Sequence, residues 1–301
     1  MAKSQYVLSI DLGGHNLRTA FVSSQGEIFE SSRTRTFVER TPEGVLNQIS
    51  TICGEMIETH HEKYTVIGVG IGIPGFVIPE TGTLNISPNF PTWKNVPVHD
   101  ELVKRLSLPV MVENDGNCAA LGAYWKDNPK HSKDYIYITI GTGVGGGILT
   151  GGNLVRGAHG AATEIGHMQI DHSGPLCGCG SYGCLESFIS GSSLEKKTGR
   201  KAKELYEEAV SGSAEARKIF EDMGTTLGNA LSSLCYIFDP EVIAIGGRVS
   251  QAFEFFSPAI KKEIQKNLPK HPAKNATIIQ SECWDNAGIL GAAKMVLENP
   301  P

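Results

Sequence analysis

The sequence predicts an α/β protein with two domains, each built on a mixed sheet with helices on its faces. The chain has 301 residues, and chains of this size usually divide into two hydrophobic cores. Strand-like and helix-like segments follow one another from residue 6 in the order β-β-β-α-β-α-β, which is typical of a mixed sheet covered by helices. A strand, glycine turn and strand that begin at Asp134 repeat the opening hairpin, so we expect a duplicated architecture.

The first domain is predicted to open with an antiparallel meander. Gly13-Gly14 and the turn ending at Gly26 are the short connections between its three strands. An amphipathic helix follows, because Thr41 is a suitable cap and apolar residues recur at helical spacing after it. The segments predicted as strands are 6–11, 18–23, 27–36, 66–73 and 110–113, and those predicted as helices are 42–61 and 98–106.

The second domain is predicted to begin near Asn114. Its strands are short and apolar, and its helices carry one apolar face. The predicted strands are 135–141, 145–149, 242–245 and 276–280, and the predicted helices are 202–211, 214–237 and 253–267. A last helix is predicted at 287–297, after the second domain.

Charge and cysteine content exclude several classes of protein. The formal net charge is −5, and no apolar run is long enough to span a bilayer, so neither nucleic acid nor a membrane is an expected partner. The chain has seven cysteines, an odd number, and its first residues lead into the strand at Tyr6 rather than into a secretory signal. We therefore expect a reducing, cytoplasmic location.

Metal-binding residues are interleaved with carboxylates between residues 164 and 186. A Cys-x-Cys pair on a glycine-rich turn, a third cysteine and a histidine have the spacing of a zinc site. Because four protein ligands fill the tetrahedral positions, the predicted zinc is structural. The predicted ligands are His167, Cys177, Cys179 and Cys184. Glu164 and Glu186 flank them, and we expect both carboxylates to meet hydroxyl groups of a polar ligand. A disulfide with a spare thiol is the alternative, which the odd cysteine count disfavours.

Two glycine-rich turns are candidates for phosphate binding, because glycine lets backbone amides approach an anion. They are Asp11-Leu-Gly-Gly14 and Gly141-Thr-Gly-Val-Gly-Gly-Gly147, at matching places in the two halves. We expect them to face each other across a cleft and hold a polyphosphate, with Asp11 orienting Mg²⁺. Gly246-Gly247 would allow an adenosine group to lie against the backbone. Neither turn has the GxxxxGK[ST] pattern of a P-loop.

Taken together, these residues resemble the ROK family of sugar kinases and related repressors, which have the actin-like ATPase (ribonuclease H-like) fold. The resemblance runs through nearly the whole chain, and its most specific part is the histidine and cysteine spacing that ends in Glu186. The motifs that carry it are Asp11-Leu-Gly-Gly14, Gly72-Ile-Pro-Gly75, Ser87-Pro-Asn89, Glu113-Asn-Asp-Gly-Asn117, Gly141–Gly147, Glu164-Ile-Gly-His167 and the cysteine cluster.

The resemblance implies an ATP-dependent hexose kinase that phosphorylates a 6-hydroxyl with the help of Mg²⁺ and contains a structural Zn²⁺. It implies a smaller domain of residues 1–113 plus 286–301, a larger domain of residues 114–285 with the zinc motif, and a ligand cleft between them. It also implies a homodimer or homotetramer.

The resemblance further assigns roles to individual residues. Asp115 is the implied catalytic base, since phosphoryl transfer requires mainly alignment, charge neutralisation and acceptance of the hydroxyl proton. On residue chemistry alone, Asn114-Asp-Gly116 is equally consistent with a plain turn. His167 is expected to bind zinc with one ring nitrogen and the sugar with the other. The implied sugar contacts are Gly75, Asn89, Asn114, Asp115, Glu164, His167 and Glu186. The implied nucleotide contacts are Asp11, Gly13, Gly14, His15, Thr142, Gly143, Gly246 and Gly247.

Several alternatives stay open at this point. Glucose is the expected acceptor, with N-acetylmannosamine or N-acetylglucosamine as the nearest enzymatic alternative. A sugar-responsive repressor would need a helix-turn-helix domain before the kinase-like body, and the first strand already begins at Tyr6. A non-catalytic sugar-binding protein would result if His15, which stands where the family usually has threonine, blocked nucleotide entry. The presence of Asp115 disfavours that reading.

Overall fold

The computed structural model describes residues 5–37 and 39–299, which form two compact α/β units. The first unit comprises the described residues of Met1–Lys126, Arg156–Ala162 and Asn286–Pro301. The second comprises Asp127–Val155 and Thr163–Asp285. Each unit contains a mixed sheet with helices, so the predicted two-domain α/β fold class is confirmed.

The described part of the first half of the chain consists of strands β1–β8 and helices α1–α3. In chain order these are β1 (Gln5–Leu12), β2 (Asn16–Ser23), β3 (Ile28–Arg35), α1 (Pro42–His60), β4 (Thr65–Ile73), β5 (Phe76–Ile78), β6 (Thr83–Ile86), β7 (Lys94–Val96), α2 (Val98–Leu106), β8 (Val110–Asn114) and α3 (Asp115–Lys126).

The described residues of the second half form strands β9–β13 and helices α4–α9. In chain order these are β9 (Tyr135–Ile140), β10 (Val144–Thr150), β11 (Asn153–Leu154), α4 (Glu186–Ile189), α5 (Gly191–Thr198), α6 (Ala202–Val210), α7 (Ala214–Phe238), β12 (Val242–Gly246), α8 (Phe253–Asn267), β13 (Thr277–Gln280) and α9 (Ala287–Glu298). Short 3₁₀ turns occupy Ile165–His167, Arg248–Ala252 and Pro272–Asn275. Among the described residues, none of these helices is long and apolar enough to cross a membrane.

The two five-stranded sheets have the same topology. Their strand orders are β3-β2-β1-β4-β8 and β11-β10-β9-β12-β13. In each sheet the first three strands are antiparallel and the last two are added in parallel. The predicted meander and the predicted duplication are therefore confirmed. The β1–β2 turn and the β9–β10 turn occupy equivalent positions in the two sheets.

The observed division of the chain differs from the boundary expected at Asn114. Helix α3, which begins one residue later, belongs to the first unit because it packs closely on α9. The packing is tight enough that a β-carbon at Gly291 of α9 would lie 1.6 Å from the carbonyl oxygen of Cys118. The segment Arg156–Ala162 also returns to the first unit. Residues 286–299 lie in the first unit, with α9 packed on β1 and β4.

Some elements were absent from the sequence-based prediction. Strands β5, β6 and β7 form a separate antiparallel sheet, and each has only three or four residues, too few to show a period. Helix α3 begins with residue types that favour turns, so the interpretation of Asn114-Asp-Gly116 as a plain turn is wrong. Instead, Asn114 ends β8 and Asp115 opens the helix.

Candidate active site and metal cluster

The β1–β2 turn in the first unit carries the first set of predicted nucleotide contacts. The Gly13 amide donates to the Asn16 carbonyl at 2.8 Å, and the Thr36 hydroxyl donates to the Gly13 carbonyl at 2.8 Å. His15 is exposed at the tip of the turn. Its carbonyl accepts the Thr36 amide at 3.1 Å, so the backbone of the turn is fixed while the imidazole faces solvent.

Asp11 lies at the end of β1, beside the first turn of α9. A β-carbon at Gly288 would lie 3.0 Å from the Asp11 carboxyl carbon, so the carboxylate rests directly against the start of that helix. The N-terminal end of a helix carries partial positive charge, which favours an anion at this place. This arrangement holds a carboxylate next to the turn that is a candidate for phosphate binding.

Two predicted sugar contacts of the first unit pack against glycines. The Asn89 side chain lies over Gly14, where a β-carbon would approach its Nδ2 to 2.6 Å. Gly75 has a φ of 125°, and a β-carbon there would meet the Ile86 carbonyl oxygen at 2.4 Å, so only glycine fits. The Gly75 carbonyl accepts the Asn114 side-chain amide at 3.0 Å. The structure thus brings Asn89 to Gly14 and Asn114 to Gly75.

Asn114 and Asp115 stand where β8 meets α3. The Asn114 Oδ1 accepts the Asn117 amide at 3.0 Å, which caps the helix in the manner typical of asparagine. Asp115 is the first helical residue, and its Oδ1 accepts the Gly116 amide at 2.9 Å. The carboxylate of Asp115 is therefore held at the positive end of α3.

The β9–β10 turn in the second unit carries Thr142 and Gly143. The Gly141 amide donates to the Gly143 carbonyl at 2.9 Å, which closes the turn. Glu186, the first residue of α4, accepts the Val144 amide through Oε2 at 2.8 Å. A β-carbon at Gly143 would lie 2.5 Å from the same oxygen. Glu186 therefore lies directly on this glycine turn.

Gly246 is the last residue of β12 and Gly247 follows it, and close packing inside the second unit explains why both are glycine. A β-carbon at Gly246 would lie 2.1 Å from the Tyr137 hydroxyl oxygen. Gly247 has a φ of 81°, and a β-carbon there would lie 2.5 Å from the Ile140 carbonyl oxygen. This packing does not test the predicted contact of these two residues with adenosine, which stays a prediction.

The four predicted metal ligands come together in the second unit. Their ligand atoms all lie within 4.8 Å of one another. Cys177 Sγ lies 3.6 Å from His167 Nδ1, and Cys179 Sγ lies 3.7 Å from Cys184 Sγ. A tetrahedral site with Zn–S of about 2.3 Å and Zn–N of about 2.0 Å requires S···S of about 3.8 Å and N···S of about 3.5 Å. The donor set and these two separations fit zinc.

The three thiols of the cluster stand in different surroundings, and none of them is in a disulfide bond. Hydrogen bonding from the Ser181 backbone lowers the pKa of the exposed Cys179 thiol. Burial raises the pKa of Cys177, and it raises that of Cys184 to about 12. A cation is the group that would hold all three as thiolates at neutral pH.

Glu164 and Glu186 both lie beside the cluster. Partial burial raises the pKa of the Glu164 carboxyl, His167 opposes the shift and the negative charge of Glu186 adds to it. The second oxygen of Glu186, Oε1, lies 3.7 Å from Cys177 Sγ. The structure therefore brings Glu164, His167 and Glu186 together, as the sequence predicts.

A cavity of about 800 Å³ opens beside this group within the second unit. It is bordered by Thr142, Gly143 and Glu186, by Lys196 and Lys197 of α5, and by an apolar wall. The wall includes Leu194, Ile219 and Met223. The cavity combines apolar surface with cationic side chains next to the glycine turn, which suits an organic phosphate.

Three residues near the candidate base received no role from the sequence. Glu113 is a buried carboxylate at the end of β8, and it contacts Asn117 and Arg156. A carboxylate that closes an otherwise apolar strand is a signal that could have drawn attention to Glu113. Arg156 lies 43 residues away in sequence, so no local pattern indicates the pairing.

Comparisons with known proteins agree with the resemblance noted from the motifs. The chain matches the ROK family over residues 7–299. A glucokinase of Thermotoga maritima is 34% identical, with 97% of each chain covered. The structure of a ROK family glucokinase from Streptomyces griseus in complex with glucose and AMPPNP has a TM-score of 0.80 at 32% identity, covering 96% of this chain and 98% of that one. An N-acetyl-D-glucosamine kinase of Mannheimia succiniciproducens is 31% identical, covering 95% of this chain and 98% of its own.

Proposed function

This chain belongs to the ROK family, and from that membership we propose that it is an ATP-dependent hexose kinase. It transfers the γ-phosphate of ATP to the 6-hydroxyl of a hexose, with glucose as the preferred acceptor. The glucokinases of Thermotoga maritima and Streptomyces griseus support this choice of sugar.

The observation that carries the proposal is the placement of Asp115. Its carboxylate is held at the first residue of α3, beside the capping residue Asn114. In phosphoryl transfer, a carboxylate within hydrogen-bond reach of the attacking hydroxyl accepts its proton, while alignment and charge neutralisation supply most of the rate. We assign Asp115 this role of catalytic base.

We assign sugar binding to residues of both units. In the first unit, Gly75 places its carbonyl against Asn114, and the amide groups of Asn89 and Asn114 are suited to hydroxyl oxygens. In the second unit, the hydroxyl-binding groups are Glu164, His167 and Glu186. His167 Nδ1 faces Cys177, which leaves Nε2 to bind a hydroxyl. A bound zinc ion would fix the orientation and tautomer of that ring.

We assign ATP binding to the glycine turns. The β1–β2 turn offers Gly13, Gly14 and His15 to the phosphates, and Asp11 beside it is suited to Mg²⁺ through water. The β9–β10 turn offers Thr142 and Gly143, next to the cavity that carries two lysines. Gly246 and Gly247 are assigned to the adenosine group. The proposed cofactors are therefore ATP, Mg²⁺ and a structural Zn²⁺ held by the cluster.

The proposal is tested by measuring ADP release with Mg-ATP across glucose, mannose, fructose, N-acetylglucosamine and N-acetylmannosamine. Asp115→Asn is measured in parallel, and we expect its kcat to fall by about 10²- to 10⁴-fold because the proton acceptor is lost. The sugar affinity and the thermal midpoint should change little. Turnover of no sugar by the wild type would refute the kinase and direct attention to His15 and another phosphoryl donor.

An N-acetylhexosamine kinase is the second candidate, which the similarity to the N-acetyl-D-glucosamine kinase favours. A higher kcat/KM for an N-acetylated sugar than for glucose in the same assay would select it. We further propose a cytoplasmic enzyme, since its donor is ATP, and a homodimer or homotetramer. Light scattering after size exclusion would distinguish these assemblies from a monomer.

A further inference from the structure

Glu113 is a buried carboxylate immediately before the two residues assigned to catalysis and sugar binding. Only 5% of its surface is exposed. An ionised carboxylate is retained in such surroundings when a cation and hydrogen-bond donors surround it. The described contacts of Glu113 supply both, and each of its oxygens has a separate task.

The first oxygen holds the start of α3. Glu113 Oε1 accepts the Asn114 backbone amide at 2.9 Å and the Asn117 side-chain amide at 3.0 Å. Asn114 in turn accepts the Asn117 backbone amide at 3.0 Å and donates to the Gly75 carbonyl at 3.0 Å. One carboxylate oxygen therefore fixes the residues on both sides of Asp115 in the chain.

The second oxygen binds a cation from a distant part of the chain. Glu113 Oε2 accepts Arg156 Nε at 2.5 Å. Arg156 begins the 156–162 loop, in which the Ala162 amide donates to the Arg156 carbonyl at 3.1 Å. Gly160 of this loop has a φ of 66°, and a β-carbon there would lie 1.8 Å from the Val77 carbonyl oxygen. The loop is thus closed on itself and seated on β5.

We propose that Glu113 and Arg156 form a positioning pair, which sets the orientation of Asn114 and Asp115 for phosphoryl transfer. The inference rests on the proposed function, because it assumes that Asp115 is the base. Arg156 fixes and neutralises the carboxylate, and the carboxylate holds the first turn of α3. A group that only stabilised the fold would alter the thermal midpoint and leave kcat unchanged.

The pair is tested with Glu113→Gln, Arg156→Gln, Arg156→Lys and the double variant Glu113→Gln with Arg156→Gln. Glutamine at position 113 has only one acceptor oxygen. Its NH₂ group must therefore face a donor, either Arg156 or the amides of Asn114 and Asn117, and that contact is lost. We expect kcat to fall about 10- to 100-fold in Glu113→Gln, since small displacements of a reacting group have effects of this order. The sugar KM should change less than kcat.

Arg156→Gln should lower kcat similarly, because it leaves the buried carboxylate without its cation. Arg156→Lys restores the charge without the planar guanidinium, so its kcat should lie between those of the wild type and Arg156→Gln. The double variant should lose no more than the worse single variant, as expected for residues that act as one unit. Arg105→Gln is the control, since it removes an arginine that pairs with Glu43 and Glu101 in the same unit.

Hydrogen exchange provides a readout that does not depend on activity. Exchange of the amides in residues 113–117 should accelerate in Glu113→Gln and Arg156→Gln and stay unchanged in Arg105→Gln. Unchanged kcat and unchanged exchange in folded Arg156→Gln would overturn the inference, as would losses that multiply in the double variant. If Glu113→Gln does not fold, Arg156→Gln is used for the test, because Arg156 is partly exposed. If the wild type phosphorylates no hexose, the proposed function fails. Hydrogen exchange over residues 113–117 then tests by itself whether Glu113 and Arg156 hold the start of α3.

Discussion

Replacement of Gly143 by alanine tests whether Glu186 must lie against the β9–β10 turn. A β-carbon at Gly143 would come 2.5 Å from Glu186 Oε2, the oxygen that accepts the Val144 amide at 2.8 Å. This separation is too short for a carbon and a carboxylate oxygen, so the side chain has to leave the amide. The backbone of Gly143 lies outside the left-handed region, so alanine itself adds no backbone strain.

The size of the effect follows from the contact that is lost. A hydrogen bond to a charged group contributes about 1.5–3 kcal/mol. Since about 1.4 kcal/mol corresponds to a factor of ten, kcat/KM for the hexose should fall roughly 10- to 100-fold. The loss appears in the sugar parameters because Glu186 is the proposed ligand of a sugar hydroxyl.

The assay is steady-state phosphorylation at varied hexose and saturating Mg-ATP, with the ratio of kcat/KM values converted to a free energy. Gly141→Ala is the steric control, because a β-carbon at Gly141 meets no atom within 4 Å. It lies in the same turn and should lose much less. Equal losses in the two variants would refute the reasoning, since the contact with Glu186 would then have no specific effect.

Two further predictions concern the metal and the helix packing. Cys184→Ser should lower bound zinc from about one per chain to a small fraction, because a closed tetrahedral site loses a thiolate. Cys235→Ser is the control and should keep its zinc, since Cys235 is a buried cysteine outside the cluster. Equal zinc contents by elemental analysis in the two variants would contradict the assignment. Gly291→Ala should lower the thermal midpoint by roughly 2–12 °C, because overpacking against the Cys118 carbonyl costs about 1–3 kcal/mol. The same change at Gly54 of α1, where a β-carbon has open space, should raise the midpoint, and a rise in both variants would exclude close packing of α3 on α9.

The elements that the sequence predicted well are those whose own residues determine them. The 3.6-residue period of α1 and α7 and the apolar runs of β1 and β4 are local signals, and the repeated hairpin revealed the duplicated sheets. Helix α3 was missed because its opening residues favour a turn, and packing on α9, far away in sequence, decides its structure.

The same distinction applies to the site. The four metal ligands lie within one short stretch, so their spacing indicated the cluster that the structure brings together. The assignment of Asp115 came from the family motif, since an Asn-Asp-Gly sequence alone does not separate a base from a turn. The contact between Glu113 and Arg156 joins residues 43 positions apart, and only the return of the 156–162 loop to the first unit creates it.

The interleaving of the two units along the chain has a consequence for synthesis on the ribosome. The polypeptide passes between the units after residues 126, 155, 162 and 285, so neither unit is one continuous segment. Helix α9 packs on α3, β1 and β4, and it follows the other described helices in the chain, so it is made after them. Most domains of a growing chain fold as units from the N-terminus onward. Here the first unit completes its core only after α9 has left the exit tunnel, and until then the surfaces of α3, β1 and β4 that α9 covers stay exposed.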